Sequence, residues 1–113
     1  MYKIEAIIRP HRLEAVRESL KEHEIIGITV SECRGAGNQS APTHTFRGSQ
    51  YHSGLELRTR IEVYVTDAQL EEAISAIQAA ATTGEVGDGK ILVFKAEQAV
   101  RIRTNERGET AIS

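Results

Sequence analysis

One cysteine, two prolines, no tryptophan, three tyrosines and two phenylalanines are spread over 113 residues. Each scarcity excludes something. Cys33 has no partner for an internal disulfide and cannot build a cysteine zinc cluster, which fits a reducing compartment and a small packed side chain. The four histidines, His11, His23, His44 and His52, lack metal-ligand spacing, so no metal site is expected. Tyr64 and Phe94 alone offer stacking platforms on the central strands, and the net charge is −2. A nucleic-acid-binding sheet is therefore not expected. No apolar run approaches the roughly 20 residues of a membrane span. The opening Met1-Tyr2-Lys3-Ile4-Glu5 enters a charged alternation directly, unlike a signal peptide, so a cytoplasmic protein is expected.

What is present is a repeated pattern. Tyr2, Ile4, Ala6 and Ile8 alternate with Lys3, Glu5, Ile7 and Arg9, the period of a strand with one buried face. Pro10 ends it and can open a helix, and Leu13, Val16 and Leu20 then carry a helical stripe to about Glu22. The β-branched run from Ile25 to Val30 predicts a second strand reaching about Cys33. In the second half Leu57, Thr59, Ile61, Val63 and Val65 alternate with polar residues. Thr66 and Gln69 form a capping-box pair, and Leu70, Ala73, Ile74, Ile77 and Ala81 make the next helical stripe. Ile91 to Phe94 reads as a short buried strand.

The halves align at one constant offset, Ile4-Glu5 on Ile61-Glu62 and Leu13-Glu14 on Leu70-Glu71. Two βαβ units in this order predict an α+β fold, the ferredoxin-like βαββαβ sandwich, as a single domain over residues 1–113. One sheet face then lacks helices. Ile7 is apolar on that face, which favours cover by another copy. Between the halves, Gly35 to about Gly54 shows no usable period, and a loop this long in a small domain is usually functional.

Residues 84–90 read Gly-Glu-Val-Gly-Asp-Gly-Lys, and Arg101-Ile102-Arg103 follows the next strand. Glycines let N–H groups converge on an anion, while lysine and arginine supply positive charge. The run fits the Walker A spacing G-x-x-x-x-G-K, but Ile91 stands where Ser or Thr should hold magnesium. A P-loop also precedes its helix, whereas this run follows one and leads into a strand. A phosphate site outside the P-loop NTPases is therefore expected, with Lys90, Arg101 and Arg103 as its cations. An extended 101–103 segment would place both arginines on one side. The plainer reading is a helix cap at Gly84 and a turn at Gly87 to Gly89. No general base is arranged with Lys90; Asp88 is the one nearby candidate, and turn hydrogen bonding is its ordinary role. The protein is not expected to be an enzyme.

The chain resembles the PII signal-transduction family. The resemblance rests on Ile4-Glu5-Ala6-Ile7-Ile8-Arg9-Pro10, Gly27-Ile28-Thr29-Val30, Gly35-x-Gly37-x-Gln39, and Phe46-Arg47-Gly48-Ser49-Gln50-Tyr51. Near the end it rests on Thr83-Gly84-x-Val86-Gly87-Asp88-Gly89-Lys90-Ile91 and Val100-Arg101-Ile102-Arg103-Thr104. It implies a homotrimer with an adenine nucleotide (ATP, ADP or AMP) between subunits. It also implies a T-loop at about 36–55, a B-loop at 82–90 and a C-terminal arm at 96–113. The residues it assigns to the nucleotide are Ile7, Thr29, Gly35, Ala36, Gly37, Asn38, Gln39, Tyr64, Gly87, Asp88, Gly89, Lys90, Arg101 and Arg103. Gln39 and Arg58 match effector positions, and magnesium is implied only when ATP and 2-oxoglutarate bind. Tyr51 matches a tyrosine that is nucleotidylated in some members. The T-loop is implied to dock on a transporter or metabolic enzyme, so that the protein senses nitrogen, carbon and energy status.

Some positions depart from the pattern. Asn38 stands for an arginine, Glu85 for a lysine or arginine, Arg58 for a lysine, Phe46 for a tyrosine, and Ala41-Pro42 for a flexible glycine segment. Asn38 and Glu85 would weaken a triphosphate more than a shorter nucleotide. The alternative is a divergent carboxysome- or bicarbonate-related PII-like protein that binds ADP or AMP with bicarbonate.

Overall fold

Alternation builds the sheet. In the computed structural model, which describes residues 1–36, 43–46, 49–52 and 54–113 (those within 43–52 by backbone alone), β1 spans Tyr2–Ile8 and buries Ile4, Ala6 and Ile8. The sheet order is β2 (Thr29–Gly35), β5 (Glu56–Val65), β1, β6 (Lys90–Lys95), antiparallel throughout. Ile4 pairs with Val63 on one side and Val93 on the other, and Ala6 with Ile61 and Ile91, so the apolar sets of three strands share one face. Helices α1 (Leu13–Glu22) and α2 (Leu70–Ala81) cover that face with Val16, Leu20, Ala73, Ala76 and Ile77. Burying each large aliphatic side chain contributes roughly 1.5–3 kcal/mol. The result is the ferredoxin-like α+β sandwich that the duplicated pattern predicts.

The helix starts follow the local chemistry. Pro10 occupies the first position of a 3-10 turn, Pro10–Arg12, that leads into α1. Ahead of α2, the Thr66 hydroxyl accepts from Gln69 N at 3.3 Å, and Gln69 Oε1 accepts from Thr66 N at 3.0 Å. This is the expected capping box.

The second strand begins later than the β-branched run predicts. Glu24 takes a positive φ of 62°, its N–H bonds the Lys21 carbonyl, and Ile25 N–H bonds the Leu20 carbonyl. This left-handed cap closes α1 and turns Ile25 into the core, so β2 starts only at Thr29. Ile25 owes its apolar character to the helix cap.

A further departure lies in the long connection. β3 (Thr43–Phe46) and β4 (Ser49–His52) pair antiparallel in a sheet of their own. This ladder is not part of the main sheet, and its residues show no alternation of apolar and polar side chains in the sequence.

The sheet face without helices presents Lys3, Glu5 and Ile7 from β1, with Arg60, Glu62, Tyr64, Leu92 and Phe94 in register beside them. Lys3 lies 3.8 Å from Glu62 and 4.9 Å from the Phe94 ring centre, and Arg60 lies 3.4 Å from Glu5. Tyr64 and Phe94 remain nearly half exposed. Among the described residues no helix is long and apolar enough to cross a membrane.

Candidate functional site

The glycine-lysine loop runs from the end of α2 at Ala81 to the start of β6 at Lys90. The order is helix, loop, strand, so the loop does not lead into a helix N-terminus, as the sequence predicts. The α2 cap is Thr82, with extended φ −70° and ψ 136°, and Gly84 therefore belongs to the loop proper. Gly84, Gly87 and Gly89 have φ of 87°, 104° and 102°, the region that glycine alone enters freely. Gly89 is further constrained because a Cβ there would collide with the Ile7 carbonyl.

Asp88 organises this loop. Its carboxylate accepts from Thr83 N at 2.7 Å, Gly84 N at 2.9 Å and Arg9 Nε at 3.0 Å. It also accepts from the hydroxyls of Thr83 and, at 3.4 Å, Thr82. These bonds, the Thr83 hydroxyl foremost, hold the Asp88 carboxyl far below the usual carboxylate range. Asp88 is thus an ionised turn anchor, and a proton-accepting role beside Lys90 is not what its partners prepare.

Register brings the loop to a cleft. Ile7 pairs with Lys90 and Arg60, and Cys33 with Arg58, which places these side chains on the open face at one end of the sheet. Together with Gly35, Ala36, Gly87, Asp88 and Gly89 they line a cleft of about 630 Å³. Arg34, Arg58, Arg60 and Lys90 line it against the carboxylates of Glu85 and Asp88, and Asp88 is already turned onto its own loop. The arrangement suits an anionic ligand of nucleotide size. Cys33 is free and half-buried on the same wall.

Other expected residues lie elsewhere. Thr29 and Tyr64 line a second cavity of about 480 Å³ with Gly27, Glu62 and Val100, at the opposite end of the sheet. Arg101 and Arg103 are not side by side on an extended strand. Residues 102–104 turn, Asn105 takes a positive φ of 62°, and Asn105 N–H bonds the Arg101 carbonyl. The Arg101 guanidinium donates to Glu106 Oε1 at 2.7 Å and to the carbonyls of Thr110 and Ser113 at 2.8 Å each. The Thr104 hydroxyl first, and then Arg101, lowers the Glu106 carboxyl. Arg103 is exposed. Gly37, Asn38 and Gln39 lie outside the described residues. Tyr51 is described by backbone only, opposite His44 in the β3–β4 ladder.

Sequence reasoning missed Arg9, Arg34 and Arg60. Strand alternation places Arg60 on the same face as Arg58 and could have found it. Arg9 sits in a quoted motif at the end of β1, but its partners are far along the chain and leave no local signal.

Comparison with known proteins agrees with this architecture. Residues 1–106 match the family model for Nitrogen regulatory protein P-II. The Nitrogen regulatory protein P-II of Rhodospirillum rubrum is 50% identical over 112 residues, covering 99% of this chain and 100% of that one. The protein of the same name from Azospirillum brasilense is also 50% identical over 112 residues, with the same coverage. Among solved structures, Arabidopsis thaliana PII bound to citrate superposes with a TM-score of 0.80 at 37% identity, covering 98% of this chain and 88% of that one. The chain belongs to the P-II family of nitrogen regulatory, signal-transducing proteins.

Proposed function

We propose that this protein binds an adenine nucleotide in the cleft at the 83–90 loop and controls a target enzyme or transporter through the segment 36–55. One observation carries the reading: Lys90, the left-handed glycines 87 and 89, Gly35 and Arg58 share one cleft. Gly35 and Ala36 lead directly into segment 36–55. A phosphate drawn to the loop therefore bears on the base of that segment, the physical route from ligand to target.

Thr29 and Tyr64 lie at the other end of the sheet, beside the arm that carries Arg101 and Arg103. A homotrimer in which each cleft meets a neighbour's second cavity would join the two sets. Arg101 would then exchange its Glu106 and carbonyl partners for phosphate. Magnesium enters only with ATP and 2-oxoglutarate, through Gln39. The protein acts as a cytoplasmic regulator without a catalytic base. The relatives above are named for nitrogen regulation, and the carbon-related alternative draws no support from them.

Glu85 places a second carboxylate on the cleft wall, so AMP or ADP is expected to bind at least as well as ATP. Calorimetry with AMP, ADP and ATP, each with and without magnesium and 2-oxoglutarate, tests both levels. ATP binding that is tight only with magnesium and 2-oxoglutarate would overturn the preference for short nucleotides. Absence of any nucleotide binding would overturn the reading as a whole. Lys90→Ala is expected to weaken ADP by roughly 1–3 kcal/mol, the scale of a lost charge-assisted hydrogen bond.

A further inference from the structure

Arg9 stands one residue beyond β1, and its backbone is extended with φ −66° and ψ 138°. Pro10 restricts that conformation, so the side chain leaves from a fixed base. The Arg9 side chain is only 22% exposed. Its Nε donates to Asp88 Oδ1 at 3.0 Å and its Nη2 to the Val86 carbonyl at 2.8 Å. One planar guanidinium therefore grips a side chain and a backbone atom of the same loop, a geometry that lysine cannot reproduce.

The loop needs such a brace. Asp88, Gly89 and Lys90 border the 630 Å³ cleft on one side. On the other they border a cavity of about 340 Å³ lined by Ile7, Ile74, Ile77 and Ala81. The loop thus stands between two spaces without a continuous packed backing. Its C-terminal end is tied to the sheet through Lys90 opposite Ile7. Its N-terminal end, at Thr83 and Gly84, hangs on the Asp88 carboxylate. Arg9 is the cation that fixes this carboxylate and, through Val86, the stretch between. Arg9 itself is not among the residues lining the cleft.

We propose that Arg9 is a positioning residue for the anion site. Through Asp88 and the Val86 carbonyl it holds the 83–90 loop in the shape that turns Lys90 and the glycine stretch toward the cleft. The proposal rests on the nucleotide reading above. Nε and one Nη2 hydrogen of Arg9 are taken by Asp88 and Val86, and the guanidinium does not line the cleft.

The test is ADP calorimetry on wild type, Arg9→Met, Asp88→Asn and the double variant, with thermal melts to confirm folding and amide exchange read at Thr83 and Gly84. Arg9→Met is expected to weaken ADP by about 10-fold or more, the scale of one lost bond to a charged group. Faster exchange at both amides without ligand should accompany it, and the double variant should be no weaker than the worse single one. Arg9→Lys, which keeps the charge but loses the fork, should recover part of the affinity. Should Arg9→Met fail to fold, Arg9→Gln removes the same charge and carries the same expectations. Additive losses in the double variant would show direct ligand contact and overturn the proposal. So would lost affinity with unchanged exchange. A wild type that binds none of AMP, ADP or ATP overturns the nucleotide reading and this proposal with it. A wild type that binds, beside a folded Arg9→Met that binds equally well, overturns the proposal alone.

Discussion

Gly89 and Asp88 show how much a single position can hold. Gly89 combines φ 102° with backbone contact against Ile7, so an added methyl is excluded twice, by conformation and by space. Gly89→Ala must push β1 and the loop apart. It is expected to cost on the order of 3 kcal/mol or more in urea unfolding, in the upper range for single substitutions. Asp88 gives a pH signature of definite sign. Its folded pKa is depressed, so its stabilisation is fully present above the ordinary carboxylate value of about 3.9 and is lost as pH falls below that toward the folded value. Amides of Thr83 and Gly84 should therefore lose protection in acid between about pH 4 and the onset of global unfolding. In Asp88→Asn they should be weakly protected already at neutral pH, with a flatter pH profile.

At the scale of elements, the end of α1 departs from ordinary preference. A left-handed cap usually carries glycine, and here Glu24 takes φ 62°. The hydrogen bonds of the cap and the buried Ile25 hold it there. Glu24→Gly removes the steric penalty and is expected to raise stability by about 1 kcal/mol, offset in part by the greater freedom of glycine in the unfolded chain. Denaturant midpoints compare the two proteins directly. A decrease would show that the Glu24 side chain has a stabilising contact of its own. This cap also explains the misplaced start of β2. From Ile25 to Val30 the residues favour extended structure, but Ile25 is spent closing the preceding helix. The capping box before α2 was legible because both partners are three residues apart. The ladder of β3 and β4 was not legible, since its sequence shows no alternation of apolar and polar residues.

For the whole molecule, the open sheet face is the main unfinished business of the single chain. Ion pairs Lys3–Glu62 and Arg60–Glu5 leave few lone charges in its middle, while Leu92, Tyr64 and Phe94 keep substantial apolar area exposed. If three copies close over this face, as proposed, wild type should sediment at three times the 12.4 kDa chain mass. Phe94→Glu, which replaces the apolar ring under Lys3 with a carboxylate on this face, should shift the protein toward monomer and weaken ADP in parallel. A stable monomer in wild type would exclude the joined site.

The sequence by itself determined the four strands of the main sheet, the two helices that cover it, their order and the inverted setting of the glycine-lysine loop. Periods of two and 3.6 record which side of each element meets the core, and glycine records where φ must be positive. Only the tertiary structure decided what the charged groups do. It attached Arg9 to Asp88 and Val86 and spent Arg101 on Glu106 and the C-terminal carbonyls. It also sent Thr29 and Tyr64 to the opposite end of the sheet from Lys90. Such choices rest on hydrogen bonds between residues distant in the chain. They impose no period, so only the folded geometry shows them.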